Sequence, residues 1–311
     1  MSRDVIIIDI NDIPAVEENI GRLGTIIAKT LPTPTGLPGV DMDFTWVTFS
    51  KGYGTPRHRH TFDQIRYMLA GKFQSAQGDI ETGQCGYYPE GVHYGPQMQD
   101  EECVVLFLQF PGPSGIRYVT HHDLDAARQL LIAEGGTFKD GVFTRLLPDG
   151  RKINQDSHAA CFEAVTGQKI AFPEGRNPAP IYMRPEAERW VPDRRLKGVA
   201  RKHLGTFGEH RTGMGLLRLA PGASLPAHRQ EDAEILYLVD GAVRCAGKIW
   251  TGGRTQTRGT HIFIPAGADV PEISSDAEAE FFSISLPMLA DLEAEMGTGR
   301  AAEISRATAA A

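Results

Sequence analysis

Positive charge is in short supply: 32 Lys and Arg stand against 39 Asp and Glu, a formal charge of −7 over 311 residues. Such a surface repels phosphate backbones, which excludes nucleic-acid binding through a general basic patch. Long apolar runs are missing as well. The opening stretch, MSRDVIIIDINDIP, is too short in apolar residues and too acidic for a signal peptide or a membrane span. A cytoplasmic protein with no membrane partner is therefore expected. Cysteine is scarce: Cys85, Cys103, Cys161 and Cys245 are scattered without C-x-x-C spacing. That excludes a disulfide framework and a zinc ribbon, and leaves them as small core residues. Helical periodicity is rare too, convincing only over His122–Glu134 and Leu286–Met296. The tail RAAEISRATAAA has no apolar stripe and is expected to fray.

Turn formers and short β-rich runs make up the rest. The 34 Gly and 20 Pro punctuate segments such as FTWVTF, CVVLFLQF, EILYLV, HIFIPA and FFSISL, the pattern of a sandwich or barrel with many short strands. The fold class is all-β, with a few peripheral helices. The chain also repeats itself. Gly52, His58, His60, Gln64 and Gly71 recur 170 residues later as Gly222, His228, Gln230, Glu234 and Gly241. A second pattern, Gly83, Pro89, Gly91 and His93, recurs as Gly259, Pro265, Gly267 and Asp269 at an offset of 176. The six extra residues fall near KIWTGGRTQTR, where a hairpin loop absorbs them at little entropic cost.

The first pattern resembles the cupin signature G-x5-H-x-H-x3-E-x6-G, and the second its companion G-x5-P-x-G-x2-H. Doubled in this way, the chain resembles a bicupin. The resemblance implies two tandem jelly-roll barrels, residues 1–150 with a metal site and residues 151–311 with a degenerate one, any active centre lying inside a barrel. The stretch from about Gly112 to Pro180 connects and braces them. Bicupins also assemble, so a homo-oligomer is expected, with the segment before Phe44 free to pair with an edge strand or a neighbour.

His58 and His60 are two residues apart, which in a strand puts both imidazoles on one face. His93 supplies a third from the facing strand in the cupin arrangement, and three imidazoles leave coordination positions open. Such a set suits Fe(II) above all, with Zn, Mn, Ni or Cu also accepted. Two departures stand out. Gln64 replaces the usual glutamate, offering at most an amide oxygen to a metal or a hydrogen bond to a ligand, and no base. His93 also comes one residue early, so it needs a bulge or a shifted turn to point inward.

Arg66, two beyond Gln64, shares its face; it is read either as an anchor for an acidic substrate or as one half of an internal ion pair with Asp63 or Asp79. Asp63 and Arg57 are placed on the turn or the outer face. Gln109, Tyr94 and Tyr88 are candidates for the cavity border, as substrate contacts or as ordinary barrel packing. The run His58-Arg-His60-Thr with Ile65-Arg66-Tyr67 is also similar to gentisate-type ring-cleaving dioxygenases, which implies an arginine on a substrate carboxylate. In the second half, His228, Gln230, Glu234 and Asp269 make an imidazole-poor set, expected to be empty. Three functions follow: a non-haem Fe(II) dioxygenase for a small acidic substrate, a non-oxidative metal-dependent isomerase or lyase, and a non-catalytic small-molecule binder.

Overall fold

The computed structural model describes residues 4–18, 23–139, 141–255 and 257–294. They form two compact units. One comprises residues 14–33 and 40–184, the other 1–13, 34–39 and 185–311. The division differs from the expected break at 150 in both directions, because strand pairing and not chain order decides membership. Ile6–Asp9 hydrogen-bonds antiparallel to Thr260–Phe263, so the start of the chain is an edge strand of the later unit. Ile181–Met183 pairs with Cys85–Tyr87, and this ties the chain as far as Met183 to the earlier one.

Each unit is an antiparallel β-barrel. In the first, seven strands run in the order Ile181–Met183, Cys85–Tyr88, Phe62–Ala70, Cys103–Pro111, Asp43–Phe49, Ile26–Leu31, Val16–Glu18. Short pairs, Gly54–Thr55 with Gln97–Met98 and Lys72–Phe73 with Ile80–Glu81, build further wall. In the second unit the long strand Ala233–Cys245 lies between Thr260–Ile264 and Ala279–Leu286, followed by Thr212–Leu219 and Val199–Phe207. Its interior is apolar, with Leu217, Leu236, Leu238, Ile262 and Phe281 in one buried cluster.

The duplication is visible in backbone conformation. Gly52 and Gly222 both hold positive φ, 83° and 76°, and so do Gly71 and Gly241, 78° and 82°. At Gly241 a Cβ would also run into the Glu278 carbonyl oxygen, whereas at Gly247, φ 75°, it would meet nothing within 4 Å. Gly247→Ala should therefore cost about 1 kcal/mol, the left-handed penalty alone, and Gly241→Ala about 3 kcal/mol. Urea unfolding reads the difference; equal losses would show that close approach at residue 241 does not matter.

The first predicted helix is present as His121–Ala133, with the Thr120 hydroxyl accepting the Asp123 N–H at 3.1 Å. The second is helical over 288–294. Leu286 instead ends a strand; residues 295 and 296, like the tail, lie outside the described residues. A helix without a clear apolar stripe, Ser157–Thr166, starts at an Asp156 cap and ends at left-handed Gly167. It packs against the first helix around Ala127, Leu131, Ala160 and Cys161. This stretch is thus a small folded part of the first unit and includes a three-stranded sheet, Thr137–Lys139, Val142–Leu146 and Lys152–Asp156. No helix among the described residues is long and apolar enough to cross a membrane. All four cysteines are buried, and none is in a disulfide.

Candidate functional site in the first barrel

Register places the site. Across four adjacent strands Asp43, Gln109, Gln64 and Tyr88 are direct partners, and so are Thr45, Phe107, Arg66 and Gly86 one step further in. Directly paired residues of antiparallel strands share a face, so Gln64 and Arg66 look into the barrel beside Gln109 and Asp43.

Arg66 is 4% exposed, and its guanidinium carbon lies 4.1 Å from the ring centre of Tyr88, 4.9 Å from those of Phe73 and Phe107, and 5.2 Å from that of Tyr94. Its Nε donates to Gln64 Oε1 at 2.7 Å and its Nη2 to the Tyr94 hydroxyl at 3.3 Å. Nη1 is buried with no partner among the described residues. The internal ion pair is not formed: Asp79 sits against Lys72 at 3.5 Å, and Asp63 is taken up elsewhere. A buried cation held by ring faces, an amide and a phenol, with one N–H pair unused, still has acceptor demand to fill.

His58 and His60 stand close together, ring centres 5.0 Å apart and perpendicular. The Nδ1 of His58 contacts the Pro56 carbonyl at 2.8 Å, and the copy repeats this contact between His228 and Pro226 at 3.0 Å. The backbones of His58 and Tyr94 exchange both hydrogen bonds, at 3.0 and 2.9 Å. That pairing puts Tyr94 on the same face as His58, ring centres 4.5 Å apart, and sends residue 93 to the opposite face. His93 is exposed; what desolvation it has, and then the Arg59 and Arg57 guanidinium groups, hold its pKa below the usual imidazole value. The bulge that would have turned it inward is absent, and Tyr94 occupies the position the cupin pattern gives to histidine.

Asp63 is buried, contrary to its expected outer position. It accepts the Tyr87 hydroxyl at 2.6 Å and the Glu90 N–H at 2.8 Å. Burial, opposed by these bonds, pushes its pKa up to about 6 from 3.8, with Glu90 raising it further and Arg176 lowering it. The folded state therefore binds this proton more tightly than the unfolded chain. The associated stability, about 3 kcal/mol, is fully present below pH 3.8 and lost as pH rises through 6. Asp63→Asn, which keeps the acceptor and has no proton to lose, should gain on the wild type by about that amount between pH 4 and pH 7.5 in urea titrations. A pH-independent difference would refute it.

Three polar residues around Gln109, namely Asp43, Tyr118 and His121, escaped the sequence. Tyr118, 1% exposed, has its hydroxyl 2.8 Å from Asp43 Oδ2 and 2.9 Å from the Gln109 amide head. His121 places Nε2 2.9 Å from the same amide atom, and its backbone N–H donates to Asp43 Oδ2 at 2.9 Å. Burial and the Asp43 carboxyl drive the Tyr118 pKa well up, so it stays a hydroxyl. Nothing in the local sequence signals this group, because its members meet only across strands and at a helix start.

A cupin metal was tested against these donors. Gln64 is already spent on Arg66, His93 is outside, and the Arg66 guanidinium carbon lies 5.2 Å from the centre of the Tyr94 ring that both imidazoles contact, a positive charge that disfavours a cation on this side of the barrel. Among the described residues no three His, Cys, Asp or Glu side chains come together in a way that could hold an ion. The second barrel does no better: His228 contacts Gln230 at 2.9 Å, Gln230 reaches Glu234 at 3.4 Å, and Asp269 is exposed against Arg229 at 3.6 Å. Burial raises the Glu234 pKa. Neither donor set, as folded, fits a divalent metal.

Residues 43–111, the strands that carry the site, match the ChrR Cupin-like domain. No curated protein matches the chain. Among solved structures, a Nostoc punctiforme protein provisionally called a dioxygenase superposes with a TM-score of 0.61 at 14% identity, covering 92% of this chain and 83% of that one. A provisionally named glyoxylate-induced protein from Pseudomonas aeruginosa gives 0.53 at 9% identity, over 92% and 90%. An oxalate decarboxylase gives 0.50 at 15%, over 90% and 77%. At these identities the likeness establishes the fold: an all-β, double-barrel cupin.

Proposed function

We propose that the first barrel binds a small carboxylate-bearing molecule, with Arg66 as the clasp and the His58 and His60 imidazoles beside it. One observation carries this reading: a guanidinium 4% exposed that, among the described residues, has no carboxylate partner and leaves Nη1 unused. A carboxylate would accept from Nη1, neutralise the buried charge and supply the acceptor the site lacks. The dioxygenase reading of the sequence shares this acidic substrate. It also needs a third imidazole, and the structure turns that residue outward; binding of an organic anion is what the site supports best.

Calorimetric titration tests it. Acetate, benzoate and malonate should include at least one saturable one-to-one ligand, and acetamide and benzamide should be at least about tenfold weaker, the weight of one charge-assisted hydrogen bond. If no carboxylate binds, or the neutral amides bind equally well, the reading fails.

A further inference from the structure

The hydrogen bonds around the two glutamines beside Arg66 constrain which way each amide can be turned. Arg66 can only donate, so its 2.7 Å contact identifies the atom of Gln64 that faces it as the carbonyl oxygen, leaving the Gln64 NH2 outermost. Gln109 lies directly across the ladder. The atom placed as its Oε1 meets two others, the Tyr118 hydroxyl and His121 Nε2, both at 2.9 Å. Tyr118 has one proton. Asp43 Oδ2, which already accepts the His121 backbone N–H, takes that proton at 2.8 Å. A carbonyl oxygen of Gln109 set against the Tyr118 oxygen would then face lone pair with lone pair. Turned by 180°, the Gln109 NH2 gives one hydrogen to Tyr118 and the other to His121 Nε2, and every contact is satisfied. The Gln109 carbonyl then points away from this network.

Both outer amide atoms are without a partner among the described residues, and neither is sealed from solvent, although Gln64 is only 2% and Gln109 8% exposed. Directly opposed side chains on one face of a sheet are about 5 Å apart. The barrel therefore presents a donor and an acceptor side by side, next to a guanidinium.

We propose that this pair reads the edge of a cis amide, so that the ligand class is a carboxylate carrying a cyclic amide: a lactam, imide or ureide. The Gln64 NH2 donates to the ligand carbonyl, and the Gln109 carbonyl accepts the ligand N–H. Tyr118, Asp43 and His121 are positioning residues that lock the Gln109 amide. The inference rests on Arg66 taking the carboxylate.

The test uses 5-oxoproline and its lactone analogue, 5-oxotetrahydrofuran-2-carboxylate, which lacks the N–H. The lactam should bind at least about tenfold more tightly, because the lactone leaves the Gln109 carbonyl facing a ring oxygen. Tyr118→Phe keeps the ring and frees the Gln109 amide to rotate; it should bring the two ligands within about twofold, as should Gln109→Leu. Nitrogen-15 NMR of labelled histidine at alkaline pH should find His121 protonated on Nδ1 with Nε2 bare in the free protein. A protonated Nε2 overturns the amide assignment. Equal binding of lactam and lactone, or failure of both where simple carboxylates bind through Arg66, overturns this proposal alone. Failure of every carboxylate overturns it together with the reading beneath it.

Discussion

Arg66→Met is expected to make the protein more stable and to abolish anion binding. In the wild type the guanidinium is desolvated, lacks a carboxylate and leaves Nη1 unbonded, while four ring contacts return part of the cost. Methionine fills a similar volume among Tyr88, Tyr94, Phe73 and Phe107, carries no charge and packs its sulfur against the rings. Replacing an uncompensated buried ion by an apolar side chain of like size typically gains about 1–3 kcal/mol, or a rise of about 2–5 °C in Tm for a chain of this size. Loss of a charge-assisted pair removes about 3 kcal/mol of binding, roughly 150-fold in Kd. Differential scanning calorimetry and carboxylate titration give the two numbers. Opposite signs identify Arg66 as a residue retained for binding at the expense of stability. A variant that melts lower and binds carboxylates unchanged would make Arg66 an ordinary part of the core.

Tyr94→His should create the metal site that the folded wild type lacks. Residue 94 stands on the face of His58 and His60, its ring 4.5 and 5.6 Å from theirs, so an imidazole there completes a set of three. After incubation with Zn(II) and gel filtration, elemental analysis should find about one equivalent in the variant and less than about one tenth in the wild type. The Arg66 guanidinium carbon is 5.2 Å from the ring centre of residue 94 and its charge opposes an ion held there, so Tyr94→His combined with Arg66→Met should bind zinc at least about tenfold more tightly than Tyr94→His alone. The decisive control is His60→Ala in the wild-type background: one equivalent of metal in the wild type that this substitution removes would show that the donor set does fit an ion, and would restore the metal-borne reading of the site.

These two experiments turn on a single place in the fold. The shared face of Gln64 and Arg66 is legible in the chain because alternation along one strand is a local property, whereas His58 and His60 precede that strand, Phe62–Ala70. The role of residues 93 and 94 is not legible. Gly91-Val-His93 is one residue short of the cupin pattern, and the alternatives, a bulge with His93 inward or a regular ladder with Tyr94 inward, differ only in which residue exchanges hydrogen bonds with His58. Likewise, Asp63 looked like a turn residue because acids usually are; its burial depends on Tyr87 and Glu90, more than twenty positions away.

The amino-acid sequence by itself determined the duplication, the all-β class, the barrel that holds the site and the strand that carries its charge, since each is written in repeats and short-range periodicity. Only the tertiary structure decided the membership of the first and last strands of each unit, the absence of a carboxylate for Arg66, the outward turn of His93 and the Asp43, Tyr118 and His121 group around Gln109. Those outcomes depend on register between strands far apart in the chain, where a shift of one residue exchanges the inside of a barrel for its outside at no change in local propensity.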